Sequence, residues 1–147
     1  MTRTELREHI FKLLFQVEFN ETADTTEPLA CYLSTLDGVS EKDADYIGKK
    51  FEAIVSHISE IDEIINQYAK GWKTNRMNKV DLSILRLAVY EIHWDEAIPA
   101  GVAINEAVLL GKKFSGEEGP SFINGVLGKY VRSTEKTEES EKTEKES

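Results

Sequence analysis

Two groups of basic residues in this chain could bind phosphate. Arg3 and Arg7 lie four residues apart near the start, and Lys112 and Lys113 directly precede Phe114. Residues four apart on a helix point along one side, and guanidinium groups match the geometry of phosphate oxygens. Basic groups beside an aromatic ring suit unpaired RNA, because the charges meet the backbone while the ring stacks on a base. The pattern therefore predicts an RNA-binding surface.

Both groups also have a simpler structural interpretation. The arginine pair could lie on a solvated helix face, paired with Glu5 and Glu8. Phe114 could pack in the core, and so could Phe122, which follows it after a turn rich in glycine. From the pattern alone, both interpretations stay open.

Residues suited to catalysis are scattered along the chain. His9, His57 and His93 fall in three separate helical segments, and Cys31 is the only cysteine. Metal sites need such ligands at close, regular spacing, and no HExxH or CxxC motif occurs. We expect Cys31 to be a buried, inert thiol within a helix. The sequence thus predicts a protein that is not an enzyme and that uses no cofactor and no metal.

Length, composition and charge narrow the class of protein. The 147 residues suffice for one domain with its own core, and 40% of them are hydrophobic. The formal charge is −9, from 18 basic and 27 acidic residues, so any nucleic-acid site must be a local basic patch on an acidic body. No apolar run is long enough for a membrane span, and the start does not resemble a signal peptide. We therefore expect a cytoplasmic protein without a membrane partner.

Apolar residues recur at helical spacing throughout the chain as far as residue 133. Seven helices are predicted, and their starts are indicated by caps or helix-opening residues. The residues that open the seven helices are, in order: Thr2, Thr26, Ser40, Ser59, Asn78, Pro99 and Gly119. No segment alternates as a strand would. The fold class is therefore all-α.

The fifth predicted helix is apolar on nearly every side, so it should lie at the centre of the core. The break at 71–78 suggests two subbundles of three helices, one on each side of it, around a shared core. Gly125 and Gly128 should allow a neighbouring helix to approach closely. We expect one helical domain over 1–133 and a disordered acidic tail over 134–147, which has six Glu, three Lys and no apolar residue.

Four segments of the sequence resemble the NusB family of transcription antitermination proteins. They occur in order, as REHIFKLLFQ (7–16), VDLSILRLAVYEI (80–92), VAINEAVLLGKKFS (102–115) and FINGVLGK (122–129). The resemblance implies two three-helix bundles around a common core. It also implies a non-enzymatic protein that pairs with a small-subunit ribosomal protein, NusE. The pair would bind the single-stranded boxA element of nascent ribosomal RNA and help an antitermination complex assemble on RNA polymerase.

The same resemblance assigns roles to particular residues. Phe15 and Glu91 fall on the side expected to meet the ribosomal protein. Arg86 matches a family arginine, and its apolar neighbours favour pairing with an acid. Residues that the resemblance or the basic clusters assign to RNA are Arg3, Arg7, Lys112, Lys113, Phe114, Glu118 and Phe122.

The family usually has more arginines at the N-terminus than this chain does. Thr4 and Glu5 separate Arg3 from Arg7, which predicts weak RNA affinity without the ribosomal partner. One alternative function is a helical protein–protein interaction module that does not bind RNA. Another is an accessory domain of an RNA methyltransferase, although this chain lacks a nucleotide-binding sheet. The protein could be a monomer or a homodimer.

Overall fold

Seven α-helices make up most of the described chain. A computed structural model of the protein describes residues 1–19, 24–71 and 73–146, with side chains as far as residue 134. Within these residues there is no strand, which confirms the predicted all-α class with seven helices. The helices are α1 (Arg3–Glu18), α2 (Thr26–Ser34), α3 (Glu41–Ser56), α4 (Ile58–Tyr68), α5 (Lys79–Trp94), α6 (Ala100–Phe114) and α7 (Gly119–Glu146), and a 3₁₀ turn spans Thr74–Arg76.

Side-chain caps define several helix starts. Thr2 Oγ1 accepts a hydrogen bond from the Glu5 amide at 3.1 Å, and the Glu5 carboxylate accepts one from the Thr2 amide, as in a capping box. Asn78 accepts a bond from the amide of Val80 at the start of α5. The predicted cap at Ser59 is wrong. His57 ends α3 and also caps α4, so Ser59 already lies in the first turn of α4.

Helix α5 is the central element, as predicted. It packs against α1, α3, α4, α6 and α7. Leu82, Ile84, Leu85 and Val89 are all buried within it. A helix that is apolar all round leaves the least apolar area exposed to water when other helices surround it.

The two subbundles divide at a different place from the predicted break. Helices α1, α2 and α3 form one group, and α4 packs with α5 and α7 in the other. The chain therefore crosses between groups at His57, before the 71–78 segment. Both groups contribute to one continuous cluster of buried side chains, in which Phe51 lies in α3, Ile65 in α4 and Leu127 in α7. The prediction of a shared core is confirmed.

Two predictions about small residues are wrong. Cys31 is exposed, because Leu29 and Tyr32 form the buried face of α2 and Cys31 points away from it. A methyl group on Gly125 would meet nothing within 4 Å, and one on Gly128 would meet only Arg132 of the same helix. The close helix approach occurs instead at Gly111, where the methyl group would lie 3.0 Å from Ile123 Cδ1 in α7.

Arg86 pairs with acids, as predicted. Its Nε and Nη2 donate to the two carboxylate oxygens of Asp62 at 2.9 and 2.8 Å, and its Nη1 donates to Glu18. These bonds join α5 to α4 and α1. Burial lowers the pKa of Arg86, but the two carboxylates outweigh it and raise that pKa above its ordinary value.

The domain boundary and the tail stay predictions. Helix α7 is assigned as far as Glu146. Residues 135–147 lie outside the described side chains, and the predicted disorder over 134–147 falls almost entirely on them. Among the helices of the described ranges, none combines the length and the apolar character that crossing a membrane requires.

Candidate nucleic-acid interface

The surface around Phe114 combines an aromatic ring with two ammonium groups. Phe114 ends α6, and its half-buried ring packs on Phe11 of α1 with the ring centroids 5.0 Å apart. Lys113 Nζ lies 5.4 Å and Lys12 Nζ 5.7 Å from the centroid of the Phe114 ring. The negative face of a ring attracts cations at these distances. We call this surface, built from Glu8, Phe11, Lys12, Lys113 and Phe114, the Phe114 site.

A carboxylate lies between the two lysines of the Phe114 site. Lys113 Nζ donates to both oxygens of Glu8 at 3.0 and 2.9 Å, and Lys12 Nζ lies 3.4 Å from Oε1 of the same group. Burial alone would raise the pKa of Glu8, but the bonds from Lys113 and Lys12 outweigh it and lower that pKa. Glu8 is therefore ionised at neutral pH and neutralises part of the local positive charge.

The turn between α6 and α7 is held against the start of α5. Ser115 Oγ donates to Asp81 Oδ1 at 2.5 Å. Phe122 is half-buried, and it lines a cleft of about 270 Å³ together with Gly119, Asp81 and the exposed residue Glu118. The predicted residues Glu118 and Phe122 thus share one cleft, which lies beside the Asp81–Ser115 bond.

Lys112 belongs to a different surface from Lys113. It is exposed and lines a groove of about 500 Å³ between α6 and α7, with Ile104, Val108 and Asn124 among the other lining residues. Consecutive residues on a helix point about 100° apart, which separates the two ammonium groups.

Arg3 is exposed and lines a third depression. This cleft of about 710 Å³ lies between α1, α3 and α5, and Lys42, Lys49 and Tyr46 of α3 also line it. Lys49 is paired with Asp45 at 2.9 Å. Arg3 and Lys113 therefore lie on different surfaces. Arg3 is on the side of α1 that faces α3, whereas Lys113 contacts α1 from α6.

Arg7 and Glu91 are bonded to each other inside the bundle. Arg7 is 3% and Glu91 1% exposed, and Arg7 Nε donates to both oxygens of Glu91 at 3.0 Å. Lys50 Nζ, also buried, donates to Glu91 at 2.9 Å. Burial lowers the pKa of Arg7, but its contact with Glu91 raises it above the ordinary value. Arg7 does not share an open face with Arg3, because α1 directs Arg7 toward α5. RNA contact by Arg7 and protein contact by Glu91 stay predictions.

Phe15 lies in a row of aromatic side chains along α1. Its ring centroid is 6.5 Å from that of Phe11 and 5.1 Å from that of Phe19, which is 63% exposed. This row continues from the Phe114 site, because Phe11 belongs to both. The structure therefore places Phe15 beside the Phe114 site and does not bring it together with Glu91.

Sequence reasoning did not single out Glu8 or Lys50 as functional residues. The spacing of Glu8 and Lys12 does indicate a pair one turn apart on α1. Lys50 had no such signal, since its partner Glu91 is 41 residues away along the chain. Among the described residues, no group of three or more His, Cys, Asp or Glu side chains is placed to hold a metal ion.

Comparison with known proteins agrees with the resemblance seen in the four sequence segments. The model of the NusB family matches residues 4–132. The transcription antitermination protein NusB of Agathobacter rectalis is 46% identical over 131 residues, which cover 89% of this chain and all of that protein.

Solved structures share the fold. A T. maritima NusB structure matches with a TM-score of 0.80 and 32% identity, covering 90% of this chain and 92% of that one. The crystal structure of antitermination factors NusB and NusE in complex with dsRNA contains a chain that matches with a TM-score of 0.79 and 25% identity. This match covers 90% of this chain and 99% of that one. The chain described here belongs to the NusB family.

Proposed function

We propose that this protein is a non-enzymatic transcription antitermination factor that binds single-stranded RNA at the Phe114 site. The observation that carries the proposal is the pair of ammonium groups beside the Phe114 ring. Ammonium groups bind phosphodiesters, and an aromatic ring stacks on an unpaired base whatever its identity. Membership of the NusB family supports the same role.

The proposed partners are a ribosomal protein and a boxA-type RNA. A family relative forms a complex of NusB, NusE and dsRNA, which supports an equivalent pairing here. With the ribosomal protein NusE, the protein would bind boxA of nascent ribosomal RNA and help the antitermination complex to assemble on RNA polymerase. Two modest contacts on linked molecules raise each other's effective affinity.

Charge supports a weak affinity for RNA when the protein is alone. The chain carries −9 overall, Glu8 neutralises part of the Phe114 site, and Arg7 is paired with Glu91. Few free cations are then available to displace counterions from RNA, so the dependence of affinity on salt should be shallow.

The first experiment is a titration of boxA RNA and a scrambled RNA, with and without the ribosomal protein, across a salt series. We expect weak binding alone and tighter, boxA-selective binding by the pair. Equally tight binding by the isolated protein would contradict the weak-affinity proposal. Absence of RNA binding in both forms would favour a helical interaction module, for which the exposed ring of Phe19 offers an apolar contact.

Two variants locate the RNA on the protein. Phe114→Leu keeps apolar packing against Phe11 but removes the flat ring, so we expect roughly a fivefold or greater loss of affinity, from a stacking contribution of about 1–3 kcal/mol. Lys113→Gln removes one contact with a phosphate. The slope of log affinity against log salt concentration should therefore become shallower by about 0.7, the value for one phosphate of a single strand. Lys70→Gln, at an exposed position that lines none of the clefts described above, is the control and should change neither quantity.

A further inference from the structure

The Phe114 site already contains an anion. The two ammonium groups of Lys12 and Lys113 converge on one carboxylate, that of Glu8, at 3.4 and 2.9 Å. Both ammonium groups also lie within 6 Å of the Phe114 ring centroid. A phosphate group presents two oxygens with negative charge, as a carboxylate does, and would make the same contacts with the two lysines.

Another anion can displace the Glu8 carboxylate from the two lysines. Lys113 is 60% and Lys12 42% exposed, so water and ligands reach both ammonium groups. Ion pairs of this exposure are worth little individually, which allows a competing anion to replace the carboxylate. Glu8 cannot leave the site by becoming neutral near pH 7, because its carboxyl group is stabilised in the charged form.

We propose that Glu8 is an autoinhibitory residue, which occupies the position of an RNA phosphate and must be displaced when RNA binds. This inference rests on the proposed function and concerns the same site. A ligand that offers only negative charge exchanges one anion for another at the two lysines and gains little. A single-stranded RNA gains in addition the stacking of a base on Phe114. The stacking thereby compensates RNA for the cost of displacing Glu8, whereas a polyanion without bases has no such compensation.

The variant Glu8→Gln tests this inference, with Glu63→Gln as the matched control. Glu63 is exposed in α4, so its variant makes the same change in net charge away from the Phe114 site. The probes are a short oligouridylate and heparin, which has no bases. For Glu8→Gln we expect affinity to rise roughly two- to tenfold for oligouridylate, since two weak ion pairs no longer compete. The affinity for heparin should rise by a similar factor, because both ligands displace the same carboxylate.

Salt dependence and a double variant provide further readouts. Because RNA displaces Glu8 from the two lysines in the wild type as well, the slope of log affinity against log salt for oligouridylate should change by much less than about 0.7. When Glu8→Gln is combined with Lys113→Gln, most of the increase in affinity should disappear. The control Glu63→Gln should change affinity for either probe by less than about twofold, since distant charges are screened by salt. Changes in Glu8→Gln no larger than those in the control would overturn the inference.

Titration with inorganic pyrophosphate separates this inference from the proposed function. Its binding is followed by NMR shifts of the Phe114 ring and the Lys113 side chain, which also verify that each variant is folded. We expect shifts at much lower pyrophosphate concentrations for Glu8→Gln than for the wild type. If no form binds RNA even with the ribosomal protein, the proposed function fails. The pyrophosphate titration then decides the inference, which is refuted if Glu8→Gln and the wild type respond alike.

Discussion

The charged side chains that are buried in the described part of the chain are all in ion pairs. Arg7 and Lys50 contact Glu91, and Arg86 contacts Glu18 and Asp62. A charge taken out of water is costly unless a partner of opposite sign compensates it. At the scale of single residues, these pairs determine which cations support the fold and which are free to bind a ligand.

Arg7 and Arg3 should therefore respond differently to the same substitution. Arg7→Gln leaves the buried carboxylate of Glu91 with Lys50 alone, so we expect unfolding to become easier by about 3 kcal/mol or more. Arg3→Gln, at an exposed position, is the control and should stay within about 0.5 kcal/mol of the wild type. Urea denaturation measures both. If both variants lost the same small amount of unfolding free energy, the Arg7–Glu91 pair would not support the fold.

The pairing of Glu18 predicts how stability depends on pH. Burial raises the pKa of Glu18, but hydrogen bonds from Arg86 and Lys79 outweigh it, so the folded-state pKa lies below the ordinary value of 4.5. The unfolded chain then binds the proton more readily, so the contribution of Glu18 is present above pH 4.5 and is lost as pH falls through the folded-state pKa.

This prediction is tested by comparing Glu18→Gln with the wild type across a pH series. The variant has no titrating group at this position. Its stability deficit should therefore be full near neutral pH and should shrink below pH 4.5. Urea midpoints measured at each pH provide the comparison. A deficit that stays constant down to the acid unfolding of the protein would refute the role of the charged form.

At the scale of elements, the α6–α7 corner positions the aromatic residues of the candidate interface. Phe114 precedes the turn and Phe122 follows it, and the bond from Ser115 to Asp81 fixes the turn against α5. Gly119 allows this arrangement, because a methyl group there would lie only 1.9 Å from Ser115 Oγ. The corner thus depends on a residue without a side chain at one specific position.

Two glycine substitutions in α7 should have opposite effects. Gly119→Ala must move Ser115 away from Asp81, so we expect a loss of about 1–3 kcal/mol in stability. Gly125→Ala meets no atom within 4 Å and lies inside a helix, where alanine is favoured over glycine by up to about 1 kcal/mol. Thermal unfolding of the two variants provides the measurement. A neutral result for Gly119→Ala would show that the corner is adaptable.

At the scale of the whole molecule, one continuous core joins the two groups of helices. Buried side chains of α1 and α3 belong to the same cluster as those of α4 through α7, with α5 between them. Groups that share a core cannot unfold separately without exposing the apolar surface of the other. The candidate RNA-binding residues on α1 and α6 therefore belong to one cooperatively folded domain.

Unfolding should accordingly be a single cooperative transition. Leu85→Ala, at a fully buried position of α5, should cost about 2–5 kcal/mol and shift the whole transition without splitting it. Circular dichroism in urea, combined with hydrogen exchange of α1 and α6 amides, tests this expectation. Val102→Ala, at an exposed position of α6, is the control and should have little effect. Separate midpoints for the two helices would show that the groups unfold independently.

Much of the fold is predictable from the sequence because helix formation depends on local patterns. Residues close together in the chain predict the cap of α1, the turn between α6 and α7, and the apolar surface of α5. The predicted cap of α4 lies two residues too late, because α3 and α4 meet at His57 without a turn signal. The prediction that Cys31 is buried is wrong. Its apolar neighbours in the sequence do not lie on the same face of the helix, so they do not bury it.

The helical class, the central helix and the basic–aromatic pair Lys113–Phe114 are predictable without coordinates, because they follow from local spacing and residue type. Which charged side chains are free to bind a ligand depends on how the helices pack. Arg7 and Glu91 are 84 residues apart, and the packing of α1 on α5 makes them a buried pair. Glu8 and Lys113 meet across 105 residues in the same way. Electrostatic interactions depend on distance in space and on access to water, and both are set when distant segments pack together.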